Sequence, residues 1–327
     1  MSENTITILS LGGGVQSTTL ALLAEDADFP DFEKPVAAIV ADTVDESPKL
    51  YAHLEWLRSQ VSFPIYIVQE GNGLGRDFLA ALSGETKRAS QPPFYVKEAT
   101  LSQEEIEVIL AEPEPDRGLA TVIETDEFLA MEITQSSDEW IAWKNRQRRA
   151  LNSDQGGMLW RACTRDYKIV PIRRKTREIM IEHGAKHVRS LIGISTDERQ
   201  RENASGVKYI TNVHPLLEMG WSRFRCEQYL WDKHGIKVPK SACHYCPYRS
   251  NAGWKKMKIE DPSEFERACQ FDEAIREAQG KTIRGAGIVG QLFVHRSFTP
   301  LRTANLEPDP GQMDFGFEQE CEGMCGY

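Results

Sequence analysis

Three consecutive glycines, Gly12, Gly13 and Gly14, stand between an apolar run and the hydroxyl residues Ser17, Thr18 and Thr19. Glycine lets a backbone turn tightly and bring N–H groups close to an anion. A helix that opens at Ser17 and Thr18 adds a dipole and unpaired N–H groups, both of which favour phosphate. Gly12-Gly13-Gly14-Val15-Gln16-Ser17-Thr18 therefore reads as a phosphate-binding loop. It is not a Walker A loop, since Gly-Lys-Ser/Thr is missing, and it is not the G-x-G-x-x-G fingerprint. A glycine-rich turn with a purely steric role is the alternative reading.

The cysteines are a second source of chemistry. There are seven: Cys163, Cys226, Cys243, Cys246, Cys269, Cys321 and Cys325. An odd number in a chain without a secretion signal argues against a disulfide framework. Cys243-His-Tyr-Cys246, set between Pro239 and Pro247, can turn two thiolates toward one metal ion. Two more ligands are needed, from Cys163, Cys226, His244, Cys321 or Cys325. Zinc and a [4Fe–4S] cluster both suit thiolate ligation, and a redox dithiol is a further reading. Cys226 and Cys269 fall in amphipathic helix patterns and read as core residues. So do Trp221, Tyr229, Trp231 and Trp254, while Trp160 beside Cys163 is placed to cover a nucleobase. His295 follows a strand-like segment and reads as structural.

Charge is unevenly spread in this 327-residue chain of net charge −10. Lys97 to Glu139 holds 13 acidic residues against Lys97 and Arg117. Lys144 to Arg177 holds 11 Lys or Arg against Asp154 and Asp166. Arg165, Lys168, Arg173 and Arg174 lie near Cys163, where cations lower a thiol pKa and bind phosphate or sulfate. The acidic total disfavours a whole-surface nucleic-acid binder. The basic stretch marks a local anion site, with solvated helix faces as the alternative. No apolar run approaches the roughly 20 residues that span a bilayer, so no membrane partner is expected. The N-terminus lacks the basic and long apolar regions of a secretion signal, and a cytoplasmic location is the default expectation.

The elements that must position these residues follow from periodicity. Thr5–Ser10 reads as a strand leading into the glycines and then a helix from Ser17 to Ala24. Val36–Ala41 reads as a second strand, ending at Asp42-Thr43 and followed by a helix over Ser47–Gln60. Ile65–Val68 is a third. Strands alternating with helices imply a parallel sheet with ligands at the carboxyl ends of its strands. Residues 97–155 interrupt the rhythm and read as an insertion or lid, with Ser102 capping a helix. A helix over Ile172–His183 and a strand over His187–Gly193 resume it. Asp42 and Asp197 fall at strand ends, where ligand binding competes with turn or helix capping. The expected organisation is an α/β nucleotide-binding domain over residues 1–220 and a helical, cysteine-containing module over 221–327.

Gly12 to Ser17 resembles the PP-loop, SGGxDS, of the adenine nucleotide α-hydrolase superfamily. Gly12 stands at its first Ser and Gln16 at its Asp, a Gly-x-Gln pattern similar to that of PAPS reductases. Ala41-Asp42-Thr43, with Glu46 beyond, resembles that superfamily's second strand end near the nucleotide. Cys163-Thr-Arg-Asp-Tyr-Lys168-Ile-Val-Pro171 resembles the C-x4-K-x2-P signature of sulfonucleotide reductases and DNA-phosphorothioation sulfurtransferases. Gly193-Ile-Ser-Thr-Asp197-Glu198-Arg199 is similar to a strand end of the same enzymes, and Glu320-Cys321 with Cys325-Gly326 faintly resembles a reductase tail. The chain is thus identified as PAPS reductase-like in the broad sense, over residues 5–70 and 156–250. The resemblance implies a Rossmann-like (HUP-type) sheet flanked by helices, with ATP, PAPS or APS at Gly12–Thr18, Asp42, Thr43 and Gly193. It also implies a [4Fe–4S] cluster on Cys163, Cys243 and Cys246 with Cys321 or Cys325 as fourth ligand, zinc being the alternative.

Three functions follow as expectations. In the first, Mg²⁺-ATP is cleaved to AMP and pyrophosphate, adenylating an anionic, nucleotide or nucleic-acid substrate for sulfur or nitrogen transfer. Ser17, Asp42 and Lys168 carry the chemistry, and Arg165, Arg173, Arg174, Asp197 and Arg199 meet the anion. In the second, a tail thiolate, Cys321 or Cys325, attacks the sulfur of a sulfonucleotide. In the third, the nucleotide is bound without turnover and the cysteines hold a structural metal.

Overall fold

The computed structural model describes residues 4–29, 32–86, 90–97, 102–115, 120–125, 129–134, 138–151, 156–278 and 290–307. The chain opens with β1 (Thr5–Ser10), α1 (Val15–Leu23), β2 (Ala37–Asp42), α2 (Pro48–Gln60), β3 (Ile65–Gln69) and α3 (Leu74–Leu82). An excursion follows, made of β4 (Tyr95–Lys97), α4 (Gln103–Leu110), β5 (Ala120–Thr125), β6 (Leu129–Thr134), α5 (Asp138–Leu151) and β7 (Gly156–Met158). A π-helical turn over Arg165–Ile169 runs into α6 (Val170–Glu182), then β8 (His187–Ile192) and β9 (Ile210–Val213). The last part is helical, with α7 (Pro215–Glu218), α8 (Arg223–His234), α9 (Asn251–Glu260) and α10 (Pro262–Ala278), before β10 (Gln291–Phe293).

The central sheet has five strands in the order β3-β2-β1-β8-β9, and every neighbouring pair is parallel. This is a Rossmann-like α/β fold, as the strand–helix alternation requires. Its two faces are built by strict alternation along the strands. Leu9, Leu11, Ala38, Val40 and Leu191 enter one core with α1, α2 and α8. Ile8, Ala37, Ile39, Val188 and Ile192 enter the other with α6. Beyond the carboxyl ends of these strands lie the polar residues of the site.

The excursion over 97–155 is closed at its base. β4 pairs antiparallel with β7 where the chain leaves and returns, and with β10 on its other side. Within it, Ser102 forms the expected cap of α4, a reciprocal capping box with Glu105. Among the described residues, β5 and β6 form a separate two-stranded antiparallel sheet. A third core joins α3 to the last helices through Phe78, Leu82, Phe94, Tyr245, Trp254 and Phe271. The two proposed regions therefore exchange elements across residue 221: α8 completes the first core and α3 the third.

Cys226 and Cys269 are core residues as expected, and so are Tyr229 and Trp254. Trp221 packs partly buried against the first core. Trp231 differs: it is 64% exposed, because residues 226, 229 and 230 define the inward face of α8 and 231 falls outside it. His295 is buried between Ser297 and Asn251, a structural arrangement. Among the described residues no helix is long and apolar enough to cross a membrane.

Gly13 has a φ of +76°, and a Cβ there would lie 2.8 Å from Leu50 Cδ1. We predict that Gly13→Ala costs about 1–3 kcal/mol, the range for a non-glycine residue forced into a left-handed conformation. Urea unfolding measures it, and an unchanged midpoint would contradict the tight turn.

Candidate functional site

The strand order reverses at β1. From β1 the chain steps outward to β2 and β3, then returns on the other side as β8 and β9. In such sheets the crevice outside the carboxyl ends at the reversal is where ligands bind. Here it lies between the glycine loop after β1 and the segment Gly193–Arg201 after β8. The sequence-predicted loop therefore occupies the position at which this topology binds ligands.

Gly14 caps α1 in an extended conformation, and no side chain caps its first turn. The N-terminus of a helix is where backbone N–H groups favour an anion. The side chains behind them are buried: Gln16, Ser17, Thr18 and Thr19 expose 1% or less. Each finds a partner. Ser17 Oγ donates to Gly14 O at 3.4 Å, and Thr19 Oγ1 to Val15 O at 2.8 Å. Thr18 Oγ1 shares a hydrogen bond with His53 Nε2 at 2.9 Å. Gln16 Nε2 donates to Glu198 Oε2 at 3.1 Å, and Gln16 Oε1 accepts from Arg223 Nη1 at 3.3 Å. The Gln that replaces the PP-loop Asp thus bridges a carboxylate and a guanidinium. Burial pushes the Glu198 carboxyl up, against the pull of Arg201 and Arg223.

A second group gathers at the end of β2. Asp42 Oδ1 accepts from Val44 N at 2.7 Å and from Tyr51 Oη at 2.8 Å, a turn-forming role that also admits a ligand on its other oxygen. Thr43 shares a 3.3 Å hydrogen bond with Cys243 Sγ and donates to Glu46 Oε1 at 3.5 Å. Lys168 Nζ, from the π-helical turn, lies 3.7 Å from Glu46 Oε1, and both residues are buried. Glu46 Oε2 has no hydrogen-bond partner. Burial pushes the Glu46 carboxyl up despite Lys168. A buried cation with one incompletely satisfied carboxylate is a site able to meet further charge.

The Cys243–Cys246 loop is docked onto both groups. Ser241 Oγ donates to Gly12 O at 2.6 Å. His244 N donates to Asp45 O at 2.9 Å, and Tyr245 Oη to Asp45 Oδ2 at 2.6 Å. Burial, reinforced by Glu46, pushes the Cys243 thiol well up. Cys163 and Cys243 both lie near enough to influence Tyr245, and Cys163 and Cys246 to influence Tyr248, so the three thiols share one neighbourhood. Among the described residues, however, no three His, Cys, Asp or Glu side chains are arranged to hold a metal ion. Cys321 and Cys325, the remaining thiols of the expected ligand set and tail, lie outside the described residues.

Several of the expected anion residues have partners within the fold. Arg165 is paired with Asp166 at 2.6 Å, Arg174 with Glu70 at 3.2 Å, and Arg173 donates to Ser205 O. Arg199 is exposed. Asp197 Oδ2 accepts from Arg223 N at 2.6 Å and so secures the start of α8. Trp160 is 72% exposed. Sequence reading missed His53, Arg223 and Ser241, each of which reaches the loop from a distant segment. Only Glu198 carried a signal, lying within the quoted 193–199 segment.

No family model matches the chain, and no curated protein matches it. Among solved structures, the chain is similar to a phosphoadenylyl-sulfate (PAPS) reductase from Candida auris in a phosphate complex. That similarity covers 73% of this chain and 75% of that one, at 13% identity and a TM-score of 0.31.

Burial lowers the pKa of His53 from 6.5 to about 4, so the imidazole behind the loop is neutral. The unfolded chain takes up this proton first as pH falls. The stability that His53 contributes is therefore complete above about pH 6.5 and is lost as pH falls toward 4. We predict that His53→Gln loses less stability than the native chain between pH 7 and 4.5, measured by urea midpoints. Equal losses would contradict a buried neutral His53.

Proposed function

We propose that this chain is an adenine-nucleotide enzyme whose nucleotide lies in the crevice between the glycine loop and Gly193–Arg201. The observation that carries the reading is the coincidence of the phosphate-type loop, at the N-terminus of α1, with the reversal point of the sheet. We infer the reaction from the charges around that loop. Mg²⁺-ATP would be cleaved between its α- and β-phosphates, an acceptor oxygen bonding to the α-phosphorus while the bridging electron pair leaves with pyrophosphate. Mg²⁺ accompanying ATP would neutralise charge on the leaving pyrophosphate, with Asp42 and Glu46 the carboxylates at that edge.

The protein's own part is electrostatic. N–H groups of residues 14–17 would hold pyrophosphate oxygens, as the head of a helix does for any phosphate. The Ser17 hydroxyl would exchange its long bond to Gly14 O for a phosphate oxygen. Lys168 would turn from Glu46 toward the charge that builds as the bond breaks, and Glu46 would keep it ionised in a buried position. The acceptor, an anionic, nucleotide or nucleic-acid substrate, would approach from the solvent side of the crevice.

A second reading has one specific observation behind it. Gln16, held by Glu198 and Arg223, places an amide where the PP-loop carries an acid, which suits a sulfonucleotide bound without a metal ion. Here the Cys321 or Cys325 thiolate would attack the sulfur, forming an enzyme thiosulfonate and releasing the adenosine phosphate.

Incubation with α-labelled ATP, Mg²⁺ and a mixed nucleotide pool separates the readings. We expect release of AMP and pyrophosphate, reduced about 10²–10³-fold in Lys168→Met and strongly in Ser17→Ala, as for loss of a charge-stabilising donor. Tight binding of PAPS with no ATP cleavage, and turnover lost in a Cys321/Cys325 double serine variant, would replace the first reading by the second.

A further inference from the structure

The start of α8 brings a cation to the glycine loop that neither the loop motif nor the family resemblance supplies. Its backbone is fixed twice. Ser222 Oγ caps the helix by accepting from Arg225 N at 3.2 Å, and Asp197 accepts from Arg223 N at 2.6 Å. From there the Arg223 side chain runs back over the crevice to Gln16, the second residue of α1. Both polar atoms of Gln16 are already committed, the oxygen to Arg223 and the nitrogen to Glu198. Gln16 itself is then a spacer, and the guanidinium is what the crevice presents.

The charge balance favours the same conclusion. Glu198, 1% exposed, has a charge-assisted partner in Arg201 at 2.5 Å. Arg223 also draws on the Glu198 carboxyl, but its bonds to Gln16 and Glu227 are the weaker ones. Its bond to Gln16 is long and goes to a neutral amide, and Glu227 is a half-exposed i,i+4 partner at 3.1 Å. Exposed pairs of this kind hold weakly, whereas a guanidinium gains much more from a doubly charged oxygen cluster, which its planar fork can grip at two points. The side chain is 30% exposed, so an incoming ligand can reach it.

We propose that Arg223 recognises the anionic group beyond the α-phosphate of the bound nucleotide, a phosphoryl or sulfuryl group, by exchanging Glu227 and the Gln16 oxygen for it. This deepens the nucleotide reading above and rests on it. Arg223 makes the site selective for nucleotides with a second anionic group and leaves a monophosphate almost indifferent to its presence. Ala at this position keeps the bond to Asp197, which comes from the backbone, so the helix start is preserved.

Calorimetric titration of native protein, Arg223→Ala, Arg223→Lys and Glu227→Gln with AMP, ATP and adenylyl sulfate tests this, with thermal midpoints taken alongside. In Arg223→Ala, ATP or adenylyl sulfate should weaken about tenfold or more, the scale of a lost charge-assisted pair, while AMP changes less than about twofold. Arg223→Lys should recover part of the loss. Glu227→Gln should tighten the same ligand, a change of opposite sign that a merely structural role would not produce. If native protein binds ATP or adenylyl sulfate and Arg223→Ala binds them equally well, or loses AMP to the same degree, the inference fails while the nucleotide reading stands. If native protein binds none of the three, that reading falls and this inference with it.

Discussion

Burying the head of α1 is the constraint on which the rest of the site depends. Gln16, Ser17, Thr18 and Thr19 are polar and almost completely excluded from solvent. A buried polar group left without a partner costs roughly 1–3 kcal/mol, so each must be answered. Ser17 and Thr19 are answered within the turn itself. Thr18 needs α2, through His53, and Gln16 needs both the segment after β8 and the start of α8. Gly12, whose carbonyl would otherwise face inward, takes the Ser241 hydroxyl from the cysteine loop. Segments separated by more than 200 residues thus converge on one short turn.

The sheet makes that convergence affordable in conformational terms. Its strands alternate between two apolar cores, and few polar side chains, such as Thr7 and Ser190, are buried within them. The backbone is pinned by parallel ladders on both sides of β1, in register over Thr5–Ser10 against β8. A loop held at such a strand end keeps its N–H groups aimed in one direction, which is the condition for binding an anion without prior reorganisation. One buried atom without a hydrogen bond lies nearby, Glu46 Oε2, in a residue paired with Lys168.

The fold was legible in the sequence because local signals carried it. The glycines after TITILS, the β-branched run at 36–41 and Ser102 ahead of an acidic first turn each reported an element through backbone physics alone. Boundaries moved by one or two residues, as at α1, which opens at Val15 because Gly14 is the cap. The site was only half legible. Gly12–Thr18, Asp42, Thr43 and Lys168 were found because they lie beside recognisable strand ends or in a spaced signature. His53, Arg223 and Ser241 were not, because a single polar residue on an ordinary helix or loop has no sequence mark of the partner it meets. Trp231 misled for a related reason: a helix of modest amphipathicity does not declare which large residue is left outside. The basic run from 144 to 177 gave no sign of the carboxylate and the carbonyl that Arg174 and Arg173 meet, because those partners, on Glu70 and Ser205, come from distant segments.

The claim at the centre of this account is that nucleotide lies against the head of α1 at the sheet's reversal point. Hydrogen–deuterium exchange with and without Mg²⁺-ATP tests it most directly, since it reads the backbone amides that would hold the ligand. The account predicts slowed exchange in peptides covering Gly12–Thr19 and Gly193–Arg201, with the exposed face of α8 unchanged. Protection confined to other segments at saturating nucleotide would contradict it.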